Sequence, residues 1–279
     1  MPELPELQAH AERLQASFAG KSLESFTPFG FTVLKTASPP PSEAVGTLLQ
    51  RVWRRGKYLL LEFEPVTFAV HLMQGGRLHP DDKLALKPRG GQARWRFSDG
   101  SSLLLTEQGT ERRVGVWCVP TSRVLASPPL ASLGPDALDV DAATLNELFL
   151  IHPMRLHGFL RDQQQIAGIG RRLANEICHR ARISPFANTS KLGEAGAAQV
   201  VTAIHAVCND SLVYERDQDE MVGSATRPSR VHHREGQPCP VCGDIIRAIE
   251  YSNYTINYCP ACQTAGKVLA DNTTSKFLK

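Results

Sequence analysis

The clearest chemistry in the sequence comes from four cysteines near its end. They form two Cys-x-x-Cys motifs, at 239–242 and 259–262, with sixteen residues between them, a spacing typical of zinc ribbons. Two thiolates from each tight turn reach one ion, and four thiolates complete a tetrahedral shell with no open position. We therefore expect one structural Zn²⁺ and no diffusible cofactor. The predicted ligands are Cys239, Cys242, Cys259 and Cys262.

The N-terminus, MPELPE, offers a second kind of chemistry. Removal of Met1 would make Pro2 the first residue, with a secondary amine that can act as a nucleophile. An α-amino group has a pKa of about 7.7–8.0, against about 10.4 for lysine, so much more of it is unprotonated at neutral pH. A secondary amine that condenses with a carbonyl gives a cationic iminium, which is an electron sink. The alternative interpretation is an inert, frayed end.

The distribution of charge favours a polyanionic partner. The formal net charge is only +3, but residues 151–190 hold six arginines against two carboxylates. Four more basic residues crowd positions 51–57. Such clusters suit nucleic acid, although basic faces are often only solvated surface.

Three further cysteines, Cys118, Cys178 and Cys208, have no partner at a metal-ligand spacing. They are expected to be buried thiols in a reducing compartment. The sequence contains no apolar run of about 18 residues and lacks the charged and apolar regions of a secretory signal. We therefore expect a cytoplasmic, nucleoid-associated protein with no membrane contact.

Apolar periodicity predicts the elements that position these groups. Spacings of three and four predict an amphipathic helix over residues 3–18, which places Pro2 at a helix N-terminus. Short strand patterns between residues 22 and 119 predict a β-sandwich or barrel-like domain. Helical patterns dominate from about residue 141 to 214, and polar residues 215–236 indicate a loop before the cysteine module.

Six motifs occur in order over nearly the whole chain: MPELPE, RRGKYLLLEF, HLMQGGRL, LGPDAL, DQQQIAGIGRRLANEI and REGQPCPVCG. In this combination they resemble the Fpg/Nei family, the formamidopyrimidine-DNA glycosylases and endonuclease VIII type enzymes. The resemblance implies an α+β multidomain fold with DNA held between its halves. It comprises an N-terminal β-sandwich with an N-terminal helix, a helix-two-turns-helix domain and a C-terminal zinc-finger β-hairpin.

The expected domains follow the same order. Residues 1–125 form the catalytic β-sandwich domain, and residues 126–145 form a linker rich in Pro, Ser and Ala. Residues 146–236 form the helix-two-turns-helix domain with a lesion-side loop, and residues 237–279 form the four-cysteine finger and tail.

The resemblance also implies a reaction: base excision followed by strand cleavage at the abasic site, as in a bifunctional DNA glycosylase/AP lyase. Pro2 is then the nucleophile, and Glu3 transfers protons at the opened sugar. Glu6 is a supporting carboxylate, and Lys57 contacts the phosphate next to the lesion. For Lys57, the alternative interpretation is one more solvated charge beside neighbouring arginines.

Expected DNA contacts depart from the family pattern at several positions. The glycines of the GIG turn allow close approach to a phosphate at a helix N-terminus, but Arg171 follows them where the family usually has Asn. Tyr254 replaces the usual finger Arg, Gln74 replaces a gap-filling Met, and Val114 replaces a Phe. The predicted DNA-binding residues are His71, Gln74, Arg112, Arg113, Gly168, Gly170, Arg171 and Tyr254.

These departures leave alternatives open. One is a divergent enzyme that acts, as a monomer, on an oxidised purine or pyrimidine in duplex or single-stranded DNA. The second is a catalytically weak or inactive paralogue that binds damaged DNA. A zinc-ribbon protein-interaction module on an unrelated sandwich is a third. We expect the first, because Pro2, Glu3, Glu6 and Lys57 are all present.

Overall fold

A computed structural model describes residues 1–109, 112–221, 226–251 and 254–269. The chain divides into two compact units. Unit 1 contains Met1–Ser132 and Glu215–Ser224, and unit 2 contains Leu133–Tyr214 and Ala225–Lys279. Within the described residues, no helix is both long and apolar enough to span a bilayer.

Unit 1 is a β-sandwich preceded by a helix, as predicted. Its two antiparallel four-stranded sheets have the orders β1-β6-β7-β5 and β2-β3-β4-β8. Helix α1 spans Leu4–Phe18, which confirms the predicted N-terminal helix. The strands are β1 (Leu23–Pro28), β2 (Arg51–Arg55), β3 (Tyr58–Glu62), β4 (Val66–His71), β5 (Gly76–Pro80), β6 (Gly91–Phe97), β7 (Ser102–Glu107) and β8 (Gly115–Pro120).

One hydrophobic core joins both sheets and α1. Its members include Leu14 of α1, Leu61 of β3 and Trp95 of β6, all at most 2% exposed. Strands β5 and β8 lack a clear signal in the sequence. Both are edge strands, and each ends in a proline, which a sheet tolerates only at edges and ends.

Unit 2 contains the predicted helical segment and the cysteine module. The longest of these helices, α5 (Gly193–Arg216), crosses the unit boundary, because its last two residues belong to unit 1. The elements are α2 (Ala142–Ile151), α3 (Leu156–Arg161), α4 (Arg171–Arg180), α5 (Gly193–Arg216), β9 (Arg247–Glu250), β10 (Thr255–Tyr258) and α6 (Pro260–Gln263). Strands β9 and β10 form an antiparallel hairpin, which confirms the predicted fold class.

The boundary between the two units falls between Ser132 and Leu133, inside the predicted linker 126–145. Helix α2 begins at Ala142, before the predicted end of that linker. The predicted helix-two-turns-helix domain and finger share one unit, and their division stays a prediction. Residues 222–225 of the expected lesion-side loop and residues 270–279 of the expected tail lie outside the described residues.

The cysteines outside the two motifs are placed as expected. All three, Cys118, Cys178 and Cys208, are buried. Burial raises the pKa of the Cys118 thiol to about 12. Burial also raises the pKa of the Cys178 thiol, so both of these thiols are protonated at neutral pH and act as small core residues.

Candidate active site and metal centre

The N-terminal corner of unit 1 fixes two carboxylates at the start of α1. Glu3 is the N-cap, and the side chains of Glu3 and Glu6 form a capping box with each other's backbone N–H groups. The Glu3 N–H donates to Glu6 Oε2 at 3.1 Å. Pro2 is buried, Glu3 is 5% exposed and Glu6 is fully buried. The corner therefore holds both carboxylates in fixed positions beside the predicted nucleophile.

Lys57 and His71 lie close together on the sheet of strands β2, β3, β4 and β8. Lys57 follows Gly56, whose φ of +57° allows the tight β2–β3 turn, and it is buried. His71 is the last residue of β4, and its ring centroid lies 4.7 Å from that of Tyr58. Its Nδ1 accepts a hydrogen bond from the Met73 N–H at 3.1 Å. Burial and then the charge of Lys57 lower the pKa of His71 to about 4. His71 is therefore neutral at pH 7, with its proton on Nε2, where it can donate.

A cavity of about 330 Å³ opens beside the N-terminus. Met1 forms part of its wall, and Gln74 and Arg113 also line it. Gly75 also lines it, and a Cβ at Gly75 would lie 2.7 Å from the Gln108 carbonyl oxygen, so only glycine fits there. The full lining is Met1, Met73, Gln74, Gly75, Glu107, Gln108, Gly109 and Arg113.

The paired arginines stand on a segment that Glu107 positions. Arg112 and Arg113 are exposed, whereas Val114 is 1% exposed and belongs to the hydrophobic core. Glu107 Oε2 accepts the backbone N–H groups of Arg113 at 2.8 Å and Val114 at 3.2 Å. Val114 therefore cannot act as a hydrophobic wedge. Sequence reasoning missed Glu107, because nothing in the sequence distinguishes it from a carboxylate that ends an ordinary strand.

In unit 2, the GIG turn leads directly into a helix N-terminus. Gly168 has a φ of +107°, and Gly170 is the N-cap of α4. The Gln163 side chain shapes the turn: its Oε1 accepts the Gly168 N–H at 3.0 Å and its Nε2 donates to the Ile169 carbonyl at 2.8 Å. Arg171, the first helical residue, is exposed. A positive side chain thus stands at the positive end of the helix dipole.

Tyr254 stands in a stack of planar side chains. The Arg161 guanidinium lies 4.1 Å from its ring centroid, and the Tyr251 ring lies parallel to it at 4.6 Å. The His157 ring is also nearly parallel, at 6.2 Å. Arg161 gave no signal in the sequence beyond its positive charge. The stack places a guanidinium, held by a cation–π contact, beside the Tyr254 phenol.

The cysteine motifs converge in unit 2. Cys239 Sγ lies 3.9 Å from Cys262 Sγ, and Cys242 Sγ lies 3.4 Å from Cys259 Sγ. Bonds of about 2.3 Å to a tetrahedral Zn²⁺ place sulfurs about 3.8 Å apart, so both separations fit one ion. His179 joins Cys239, Cys259 and Cys262 in a group whose ligand atoms all lie within 4.8 Å of one another, and the predicted ligand Cys242 is not a member of that group. This cluster can bind a metal.

Protonation of these thiols is linked to metal binding. Burial raises the pKa of Cys259 to about 11, whereas the Asp244 backbone N–H lowers the pKa of the exposed Cys242 below its ordinary value. A metal ion binds thiolates, so it must displace protons from the buried sulfurs. Metal affinity is therefore expected to fall as the pH falls.

The predicted site residues divide between the two units. Pro2, Glu3, Glu6 and Lys57, together with the DNA-contact candidates before residue 114, belong to unit 1. The GIG turn, Arg171, Tyr254 and all four cysteines belong to unit 2. Within unit 1, the structure joins the two glutamates by a hydrogen bond, and it brings Lys57 close to His71 and Gln74 close to Arg113.

Known proteins resemble this chain over both units. The profile of the formamidopyrimidine-DNA glycosylase N-terminal domain matches residues 1–117. A formamidopyrimidine-DNA glycosylase-like protein of Mycobacterium tuberculosis is 41% identical over 155 residues, which are 55% of this chain and 98% of that protein. The formamidopyrimidine-DNA glycosylase of Thiobacillus denitrificans is 30% identical over 275 residues, covering 94% of this chain and 100% of that enzyme.

The fold is also found among solved structures. Lactococcus lactis Fpg, solved in complex with DNA that contains an abasic site, superimposes with a TM-score of 0.83 at 21% identity. The match covers 94% of this chain and 99% of that one. Together with the full-length relative at 30% identity, these matches show that the chain belongs to the Fpg/Nei family of DNA repair glycosylases.

Proposed function

We propose that this protein is a bifunctional DNA glycosylase/AP lyase that uses the amine of Pro2 after Met1 is removed. The main support for this proposal is that Met1 lies in the wall of the 330 Å³ cavity, which Gln74 and Arg113 also line. Removal of Met1 leaves the Pro2 nitrogen next to this cavity. The capping box keeps Glu3 and Glu6 fixed beside it.

The reaction begins when the unprotonated Pro2 nitrogen attacks C1′ of the damaged nucleotide. An N–C1′ bond forms while the glycosidic bond breaks, and the departing base takes up the proton that the Pro2 nitrogen loses. Glu3 donates a proton to O4′ as the sugar ring opens, which leaves a cationic iminium at C1′. Loss of a C2′ proton sends its electron pair toward the iminium and expels the 3′ phosphate by breaking the C3′–O3′ bond. Water then hydrolyses the adduct, or δ elimination follows first.

Lys57 and His71 have complementary parts in phosphate binding. Lys57 supplies a positive charge in a place where little water screens it. His71 is neutral and offers its Nε2–H, so it donates a hydrogen bond without adding a second buried charge. A nucleotide phosphate suits this pair, because it accepts both a charge-assisted and a neutral hydrogen bond.

Unit 2 supplies the second set of DNA contacts. Arg171 stands at the N-terminus of α4, and the Arg161–Tyr254 stack adds a held guanidinium and a phenol. Guanidinium groups bind phosphate oxygens in a bidentate manner. We infer damaged DNA as the substrate class, because Lactococcus lactis Fpg was solved with abasic DNA and the family excises damaged bases.

The four cysteines would hold one Zn²⁺. Their sulfur separations fit a tetrahedral ion, and a closed shell of four thiolates leaves no position for substrate. The ion would supply folding free energy to the finger. The protein residues alone carry the proposed base excision and strand cleavage.

Borohydride trapping tests the proposal, because the reagent reduces the iminium to a stable covalent link. The panel comprises duplexes and single strands that contain 8-oxoguanine, dihydrouracil, thymine glycol or an abasic site. We expect a protein–DNA adduct from protein whose Met1 is shown to be absent by mass spectrometry. The lesion that traps fastest identifies the preferred substrate class.

Two altered proteins serve as controls. Pro2→Gly replaces the secondary amine by a primary one, and an N-terminal extension blocks the amine altogether. Trapping should fall strongly in the first and vanish in the second. If matured, zinc-loaded protein forms no adduct with an abasic site yet binds it tightly, the protein binds damaged DNA without cutting it.

A further inference from the structure

The metal cluster contains one residue that lies outside both cysteine motifs. His179 is on helix α4, and its Nε2 lies 3.3 Å from Cys239 Sγ. Both side chains are 3% exposed. Sixty residues separate them in the sequence, so the contact joins a helix of unit 2 directly to the finger. At this distance a buried imidazole can either donate a hydrogen bond to the predicted metal-ligating sulfur or bind the metal itself.

The ring nitrogens of His179 show which atom carries the proton. Among the described residues, Nδ1 has no hydrogen-bond partner, whereas Nε2 faces the sulfur. A neutral imidazole has one N–H group, and placing it on Nδ1 would leave a buried donor unsatisfied. The proton therefore belongs on Nε2, where a thiolate can accept it.

The sulfur geometry explains why His179 is a donor and not a ligand. Two sulfur pairs, Cys239–Cys262 at 3.9 Å and Cys242–Cys259 at 3.4 Å, lie near the separation of about 3.8 Å that a tetrahedral ion requires, and the four cysteines alone would complete its shell. A fifth donor atom would exceed that shell, while Cys239 Sγ can accept an N–H bond and remain bound. Residues of this kind orient metal ligands and typically change metal affinity by 10–100-fold when they are removed.

We propose that His179 is a positioning residue of the zinc site: its Nε2–H donates to the Cys239 thiolate and thereby fastens helix α4 to the finger. The same helix begins at Arg171, behind the GIG turn, about 12 Å away at 1.5 Å per residue. A second link, from Gln263 Nε2 to the Ile183 carbonyl at 3.1 Å, lies just beyond the end of α4. Zinc binding thus braces the helix that presents Arg171. This inference rests on the proposed zinc site but not on the proposed reaction.

The test compares three full-length variants with the wild type. His179→Phe removes the donor and keeps a ring, and His179→Gln keeps an N–H group on a flexible side chain. His152→Phe makes the same change at an exposed histidine of unit 2. Zinc affinity is measured by competition with a chromogenic chelator, the ligand set by absorption of the Co²⁺-loaded protein, and folding by far-UV circular dichroism.

We expect His179→Phe to weaken zinc binding by about 10–100-fold, His179→Gln to recover part of the loss, and His152→Phe to match the wild type. All variants should give the same four-sulfur Co²⁺ spectrum. Amide hydrogen exchange in residues 171–180 should speed up when zinc is removed from the wild type.

Three results would overturn the inference. Equal zinc affinity in wild type and His179→Phe would show that the contact has no bearing on the metal. A Co²⁺ spectrum that loses a nitrogen ligand in both His179 variants would make His179 a ligand and not a donor. A wild type that binds no zinc would reject the zinc site itself, whatever the outcome of the trapping experiment.

Discussion

The N-terminal corner of unit 1 and the DNA-facing candidates of unit 2 are built in opposite ways. At the corner, Glu3 and Glu6 are buried and fixed by the capping box that starts α1. In unit 2, Arg171 is exposed, while Arg161 and Tyr254 are half-buried and hold each other by stacking. The corner side chains are held in place by hydrogen bonds to backbone N–H groups, whereas Arg161 and Tyr254 of unit 2 are held by contacts between side chains.

This difference bears on which side chains can change at little cost in stability. Groups that also start a helix cannot be replaced without a folding cost, whereas an exposed side chain at a helix N-terminus can be exchanged almost freely. The departure at Arg171 falls in the second class, whereas Tyr254 is half-buried and stacked, and Gln74 and Val114 lie in unit 1. We therefore expect variants at the N-terminal corner to change the reaction rate and variants at Arg161 and Tyr254 to change DNA affinity.

The largest expected effect is on the reaction rate of Glu3→Gln. A glutamine side chain keeps the carbonyl oxygen that accepts the Glu6 N–H, so helix α1 should remain intact. It cannot transfer a proton, and general acid–base catalysis contributes about 10²–10⁴-fold. Single-turnover excision should therefore slow by about that factor, with little change in melting temperature.

Glu12→Gln on the same helix is the matched control. Glu12 pairs with Arg216 at 2.7 Å on the surface, where an ion pair stabilises by about 1 kcal/mol or less. Its excision rate should equal that of the wild type. Equal slowing in both variants would mean that helix stability, and not proton transfer, explains the loss.

The second prediction concerns Arg161→Ala and Tyr254→Ala. Loss of one charge-assisted phosphate contact costs about 1.5–3 kcal/mol, so each variant should bind abasic DNA roughly 10-fold or more weakly. In a plot of log affinity against log salt, Arg161→Ala should reduce the slope by about 1. The excision rate at saturating DNA should not change.

Fluorescence anisotropy over a range of salt concentrations measures both quantities, with Arg180→Ala at the exposed end of α4 as the reference. An unchanged slope in Arg161→Ala would show that the stacked guanidinium does not contact phosphate. A reduced excision rate at saturating DNA would contradict the expectation that Arg161 and Tyr254 affect DNA binding and not the reaction.

The third prediction concerns the stability of unit 2. Glu176 Oε1 accepts the N–H groups of Val231 and His232, and Oε2 accepts that of Arg230, at 2.8–3.0 Å. Glu176→Gln puts an amide donor against one of these N–H groups. We expect about 2 kcal/mol of destabilisation, as for other hydrogen bonds to charged groups.

The tryptophans allow this effect to be assigned to one unit, because all three, Trp53, Trp95 and Trp117, lie in unit 1. Urea unfolding should show a lower midpoint by circular dichroism at the helix band and a nearly unchanged midpoint by tryptophan fluorescence. Coincident shifts would show that the two units unfold together.

The smallest expected effect is a change in pH dependence. Burial, followed by the charge of Arg161, lowers the pKa of His157 to about 3, against about 6.5 in an unfolded chain. Between pH 3 and pH 6.5 the unfolded state therefore binds more protons at His157 than the folded state does. The contribution of neutral His157 to the unfolding free energy is complete above about pH 6.5 and is lost as the pH falls toward 3. His157→Gln should reduce the fall in the unfolding free energy of unit 2 between pH 6.5 and 5 by about 1.6 kcal/mol, measured by urea unfolding at each pH. A slope identical to that of the wild type would contradict it.

Sequence patterns predicted the local features well. The capping residues of α1, the Cys-x-x-Cys spacings and the GIG turn act over a few residues, and their geometry follows from residue type. Glu107, Arg161, Gln163 and His179 were missed because their parts depend on which distant backbone or ring they meet. The contact between His179 and Cys239, for example, requires helix α4 to pack on the finger.

The capping box has a consequence for how such a chain changes over generations. Because Glu3 and Glu6 start helix α1, folding alone would favour side chains that can cap the helix at both positions in a descendant that had stopped repairing DNA. Lys57 differs, because burying an ammonium group costs solvation free energy that a small apolar residue would not. Natural selection for folding would remove it first. Among relatives of this chain, a buried lysine at this position is therefore a better marker of a working enzyme than the two glutamates.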